Sequence, residues 1–121
     1  MRFLLTLSLL VGLGSAQAEG VRALVQSSPL AGSQYYALST AWQEIRAGDA
    51  LTLIREPDNR HDANAIRVEW HGRKLGYVPR ARNRVIAAAM DAGEHLTARV
   101  SSVSDNKNPW LRVAFEVFVE L

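Results

Sequence analysis

The sequence predicts a small, mostly β domain: a β-barrel with one helix plugging a side. Short apolar or alternating runs suited to strands recur along the chain, and turn chemistry interrupts them about every 8 to 12 residues. Only one segment, after Pro79, changes to a helical period. A chain of 121 residues with 48% apolar content excludes a disordered tail and can bury one core. It contains no internal repeat.

The N-terminus reads Met1-Arg2, then an apolar run from Phe3 to Leu13, then Ala16-Gln17-Ala18. A basic start, an apolar centre and an A-x-A site together make a secretory signal peptide, with cleavage expected after Ala18. The run is about 11 residues, short of the roughly 20 that span a bilayer as a helix. The competing reading is an uncleaved anchor or a buried helix. On the first reading the product is exported, periplasmic or secreted, with no membrane span after cleavage. Cysteine is absent, so neither a lipid attachment site nor a disulfide framework is available.

Residues 19–33 are expected as an N-terminal lead. Val21 to Gln26 leans apolar, and Ser27-Ser28-Pro29-Leu30-Ala31-Gly32-Ser33 reads as a turn or linker. The domain is expected over 34–121. Gln34 to Thr40 carries aromatic residues suited to a strand, and Ala47-Gly48-Asp49 turns into a second, Ala50 to Arg55, with Leu51, Leu53 and Arg55 on one face. Ala65 to Trp70 alternates Ile66 and Val68 with Arg67 and Glu69; His71-Gly72 then makes a tight hairpin with Arg73 to Val78. Past Pro79, Val85, Ile86, Ala89 and Met90 fall at helical spacing and Gly93 stops the helix. Leu96 to Val103 and Trp110 to Val119 are the last strands, separated by the turn residues Ser104 to Pro109.

The chemistry concentrates in Glu56-Pro57-Asp58-Asn59-Arg60-His61-Asp62-Ala63-Asn64, immediately before the strand Ala65 to Trp70. Asp58, Asn59, Asp62 and Asn64 are short side chains that bond their own backbone, so a self-stabilised loop is one reading. A ligand-contacting loop is the other. Asp62 is its strongest candidate, since a carboxylate at a strand entrance can accept from a base edge or a nucleotide hydroxyl.

Arg55-Glu56-Pro57-Asp58-Asn59, Asp62, Asn64-Ala65-Ile66-x-Val68 and Gly76-Tyr77-Val78-Pro79 resemble the signature of the HIRAN domain, a module found within larger remodelling helicases and also alone in bacteria. The resemblance covers roughly Gly32 to Val103. It implies an OB-like fold that captures the 3′-hydroxyl end of single-stranded DNA, with Asp62 bonding the terminal nucleotide. It also implies Tyr35 and Tyr36 at the binding surface and a basic contact at Arg80. Three positions depart from the family's pattern: Gln34 stands where an arginine precedes the tyrosines, His61 where an aromatic precedes the aspartate, and Tyr77 where a histidine is found. The first weakens phosphate capture, while the other two keep a ring for stacking. Tyr35 and Tyr36 point to opposite faces of the expected strand, and the resemblance favours Tyr35 as the exposed one.

From Trp70 to Met90 there is no acidic side chain, while Arg73, Lys74, Arg80, Arg82 and Arg84 fall in that window. Removing Arg2 with the leader takes the 14 basic residues to 13, against 12 acidic ones, so this is a local basic stretch on a nearly neutral domain. Arg80, Arg82 and Arg84 are expected in the first helical turns, where a phosphate would offset their unfavourable position in the helix dipole. A merely solvated charged turn is the alternative. Arg73 and Lys74 read as edge-strand protection, and Trp42, Trp70 and Trp110 as core or rim packing.

No phosphate-binding glycine loop and no paired nucleophile and base are present, so an enzyme is not expected, and no cofactor. His61, His71 and His95 lie in separate elements without cysteine, which is no zinc spacing. Arg60 and Ala63 spoil a calcium loop. The expected function is a monomeric nucleic-acid-binding module for single-stranded DNA ends, using Tyr35, Tyr36, Asn59, His61, Asp62, Tyr77, Arg80, Arg82 and Arg84. The alternative is an exported protein- or glycan-binding envelope module that keeps the fold without the DNA role.

Overall fold

The computed structural model describes residues 21–32, 35, 36, 41–108 and 111–121. The leader with its expected cleavage after Ala18, Gln34 and Trp110 lie outside the described residues. The elements are β1 (Arg22–Pro29), β2 (Ala50–Arg55), β3 (Ile66–Trp70), β4 (Arg73–Tyr77), α1 (Arg84–Asp91), β5 (Leu96–Val103) and β6 (Val113–Glu120). A 3-10 turn over Arg80–Arg82 precedes α1.

All six strands among the described residues join one antiparallel sheet in the order β1-β6-β5-β2-β3-β4. Its two outer strands approach one another, because Ala31, just past β1, exchanges two backbone hydrogen bonds of 2.9 Å with Tyr77 at the end of β4. The sheet is therefore rolled in the OB-like manner, and this bridge joins edges that carry no continuous ladder. Gly76 is required beside it: a Cβ there would run into the Ala31 carbonyl oxygen.

The core lies inside the roll. Val113, Phe115 and Val117 of β6 face Val100 of β5, Ile66 and Val68 of β3, Leu75 of β4 and Ile86 of α1, all buried. Each such side chain removed from water stabilises the fold by about 1.5–3 kcal/mol. The period-two pattern of these strands and the helical spacing of Ile86 in α1 direct the apolar residues to this interior. Trp70 is buried in the core, its Nε1 donating to Asp49 Oδ2 at 3.1 Å, and Trp42 packs against it from the rim.

Arg55 ties the helix to the sheet, and a Schellman motif closes its C-terminus. Arg55, at the end of β2, makes a two-pronged contact with Asp91 of α1, both distances 3.0 Å, and donates to the Ala65 carbonyl at 3.1 Å. At its C-terminus, Gly93 (φ 85) donates to Met90 and Glu94 to Ala89, which satisfies the last carbonyls in a Schellman motif. The β3–β4 hairpin turns on His71 (φ 50) and Gly72 (φ 76), both left-handed as a two-residue hairpin loop demands.

Three expectations need correction. Arg22–Pro29, read as lead and turn, is the edge strand β1, paired with β6 from Arg22↔Glu120 to Pro29↔Ala114. Its Ser-Ser-Pro ending suits a turn by propensity, but β6 offers an open edge and backbone pairing overrides propensity there. Ser28, buried, satisfies its hydroxyl on the Pro29 carbonyl at 3.0 Å, and proline is tolerated at the end of an edge strand. The strand expected at Gln34 to Thr40 is not one where it is described. Gly32 (φ 71) turns the chain, Tyr35 N–H donates to the Gly32 carbonyl at 3.1 Å, and Tyr36 sits in a bend. Finally, Arg80 and Arg82 lie ahead of α1, which begins only at Arg84 after Asn83.

Candidate nucleic-acid interface

The loop between β2 and β3 is built by its own polar side chains. Asn59 Oδ1 accepts from the His61 N–H (2.9 Å) and the Asp62 N–H (3.1 Å), and Asp62 Oδ1 accepts from the Asn64 N–H (2.9 Å). The Ala65 N–H returns to the Asp62 carbonyl at 3.1 Å, where β3 starts. These are Asx-type bonds, so the self-stabilised reading of the loop holds for Asn59 and Asp62.

The same loop also forms one wall of a cleft of about 270 Å³ beside the Ala31–Tyr77 bridge. Of the residues picked from the sequence, Tyr36, Asn59, His61, Asp62, Tyr77 and Arg80 line it together. Tyr35, Arg82 and Arg84 stand outside the lining. Tyr35 is 77% exposed. Arg82 reaches back to the Ser27 carbonyl of β1 at 3.1 Å, and Arg84 is an exposed residue opening α1. Of the tyrosine pair, then, the exposed member is Tyr35, as expected, but the ring in the cleft is that of Tyr36.

Asp62 turns the loop into a charged site. Its Oδ2 accepts from Asn83 Nδ2 at 2.7 Å. Burial alone would raise its carboxyl, yet hydrogen bonds from the Asn64 N–H and the Asn83 amide, with the positive fields of Arg80 and Arg55, hold it below the usual value. It is a carboxylate at neutral pH with acceptor sites to spare. Nearby, the rings of Tyr36 and Tyr77 meet edge to face, centroids 6.0 Å apart and planes 66° from parallel.

Lys74 braces these rings. Its Nζ lies 4.1 Å from the Tyr36 ring centroid and 4.6 Å from that of Tyr77. Burial would lower its ammonium, but interactions with the Tyr77 and Tyr36 hydroxyls outweigh this and raise it. Lys74 is thus more than edge protection, whereas Arg73 is an exposed residue 3.8 Å from Glu44.

Sequence reasoning missed Lys74, Asn83 and Glu56, which supports Tyr77 from outside the lining. Strict alternation puts residues 74 and 77 on opposite faces of a strand. The register of β4 passes from Lys74↔Glu69 to Gly76↔Val68, so Leu75 is an extra residue, and this bulge returns Lys74 to the Tyr77 side. For Asn83 one signal was available: it is a helix-capping residue type directly before an apolar helix. In the structure it makes no side-chain cap and spends its amide on Asp62.

Among the described residues no group of three or more His, Asp or Glu side chains is placed to hold a metal ion, and no helix is long and apolar enough to cross a membrane.

Comparison with known proteins gives this cleft a context. A crystal structure of a protein from Lactobacillus plantarum superposes with a TM-score of 0.73 at 26% identity, covering 83% of this chain and 96% of that one. The crystal structure of the HIRAN domain of human HLTF superposes with a TM-score of 0.62 at 20% identity, covering 84% and 81%. A Fanconi-associated nuclease 1 homolog of Oryza sativa subsp. japonica is 38% identical over 52 residues, 40% of this chain but only 5% of that protein's length. The HIRAN domain family matches residues 24–121, beginning within β1. By that match, across every described strand and the cleft they form, the chain belongs to the HIRAN domain family.

Proposed function

We propose that this domain is a nucleic-acid-binding module whose cleft receives the 3′-terminal nucleotide of single-stranded DNA. The observation that carries the reading is the convergence of a held carboxylate, two tyrosine rings and an arginine on one cleft. Each has a separate task. The rings of Tyr36 and Tyr77, which line the cleft, offer a surface on which a base stacks for about 1–3 kcal/mol, whatever its identity. Asp62, kept ionised, accepts a charge-assisted hydrogen bond from a sugar hydroxyl, while a 3′-phosphate at the same position would be repelled. Arg80 supplies positive charge for the adjoining phosphodiester. Membership of the HIRAN family supports the nucleic-acid-binding part of this reading.

Backbone amide shifts followed during titration with a short single-stranded oligonucleotide test where binding occurs. The largest changes are expected at His61, Asp62 and Tyr77 and in the turn from Arg80. Changes confined to the far side of the sheet, around Thr52 and Thr97, would contradict the proposal.

A further inference from the structure

Two halves of the cleft come from separate parts of the chain: the loop bearing Asp62, and Tyr77 at the end of β4, which pairs with Arg67 of β3 just past that loop. One carboxylate bonds both. Glu56 Oε1 accepts from the Tyr77 hydroxyl at 2.9 Å and from Asn59 Nδ2 at 2.9 Å, while Oε2 lies 3.2 Å from Arg67 Nη1 on β3. Glu56 itself is fixed at the exit of β2, its N–H donating to the Ala65 carbonyl at 3.0 Å. It is partly buried and stands behind the cleft, outside the lining.

The bond to Asn59 decides more than a distance. An asparagine amide can present either its oxygen or its NH2 to a given neighbour. A carboxylate only accepts, so Glu56 forces Asn59 to turn its NH2 toward it, and this leaves Oδ1 for the N–H groups of His61 and Asp62. Asn59 is therefore held at both ends of its amide, by Glu56 on the NH2 and by the His61 and Asp62 N–H groups on Oδ1, and through it Glu56 anchors the turn that carries Asp62. The bond to Tyr77 fixes the tilt of a ring whose backbone is already held by the Ala31 bridge.

We propose that Glu56 is a positioning residue that locks the aromatic and acidic halves of the cleft together, so that Tyr77 and Asp62 act on a ligand as one unit. Its affinity readout rests on the nucleic-acid reading above; its structural readout does not.

The experiment uses the full chain with Glu56→Ala, Glu56→Gln, Tyr77→Phe and the double variant Glu56→Ala/Tyr77→Phe. Hydrogen exchange at the His61 and Asp62 amides is measured in the free protein, and affinity with a fluorescein-labelled oligothymidylate bearing a free 3′ end. Glu56→Ala is expected to speed exchange at those two amides about tenfold and weaken binding about tenfold, the size of one lost hydrogen bond to a charged group. Exchange at Val100 and Val113 in the core stays at the wild-type rate. Glu56→Gln, which keeps an oxygen but turns an NH2 toward Arg67 or Asn59, falls between. Tyr77→Phe keeps the ring, weakens binding by itself, and adds nothing on top of Glu56→Ala. Wild-type exchange at His61 and Asp62 in Glu56→Ala, or additive losses in the double variant, overturns the positioning role. Faster exchange in Glu56→Ala together with no binding of the oligonucleotide by the wild type supports the anchoring and refutes the nucleic-acid reading instead.

Discussion

Asn83 donates its side-chain amide to Asp62 Oδ2 across 2.7 Å, joining the residue before α1 to a loop 21 positions earlier. Asn83 is almost fully buried, so this bond is shielded from competing water. Replacing it by alanine leaves a carboxylate oxygen without its donor. Asn83→Ala is expected to lower stability by about 1–3 kcal/mol in urea denaturation. Asn83→Asp places a second carboxylate against Asp62 and should cost more at neutral pH than at pH 4, a larger pH dependence than that of the alanine variant, which only removes one hydrogen bond that favours the Asp62 carboxylate.

Gly76 lies where the two outer strands meet. Gly76→Ala forces a methyl group onto the Ala31 carbonyl and is expected to cost about 1–3 kcal/mol, the usual range for overpacking. Amide exchange at Ala31 and Tyr77, which bond each other, should accelerate ahead of global unfolding.

Lys74 sits over two rings, and its charge is the reason. Lys74→Met keeps most of the stem and drops the ammonium, with an expected loss of about 0.5–2 kcal/mol. Lys74→Arg retains charge over the rings and should recover part of it. Near-ultraviolet circular dichroism of the tyrosines reports the change, and an unaltered tyrosine signal in Lys74→Met would contradict the bracing role.

Acid should loosen the cleft before it unfolds the sheet. Asp62 and Glu56 are both held below their ordinary values of 3.8 and 4.5, against burial that pushes the other way. A carboxyl lowered in the folded state contributes stability that is fully present above its unfolded value and disappears as pH falls through the folded one. Urea midpoints are therefore expected to be level above about pH 5.5 and to decline below it. Asp62→Asn should flatten that decline.

The N-terminal residues make a prediction of their own. We propose that processing after Ala18 yields a chain starting at Glu19, which N-terminal sequencing of a periplasmic fraction is expected to detect. An intact chain starting at Met1 in the cytoplasm would contradict export.

Much of this fold is legible in the sequence because its strands alternate cleanly. Ile66 and Val68 against Arg67 and Glu69, and the His71-Gly72 turn, define the β3–β4 hairpin without tertiary information. β1 is not legible, since Ser27-Ser28-Pro29 forms a strand only because β6 presents an unpaired edge. The candidate site divides similarly. Asp62 and Asn59 stand out through local chemistry and Tyr77 through the family resemblance, and the structure puts them in one cleft. Lys74 does not, because a bulge at Leu75 reverses the face it occupies. Nor does Glu56, whose partners Tyr77 and Arg67 reach it only through strand pairing.

Recognition of a free 3′ end is tested by comparing two otherwise identical labelled oligonucleotides, one ending in a 3′-hydroxyl and one in a 3′-phosphate. At least tenfold tighter binding of the hydroxyl form is expected, a difference of about 1.4 kcal/mol, with the preference lost in Asp62→Ala. Equal affinity for both ends, or a preference that survives Asp62→Ala, would contradict it.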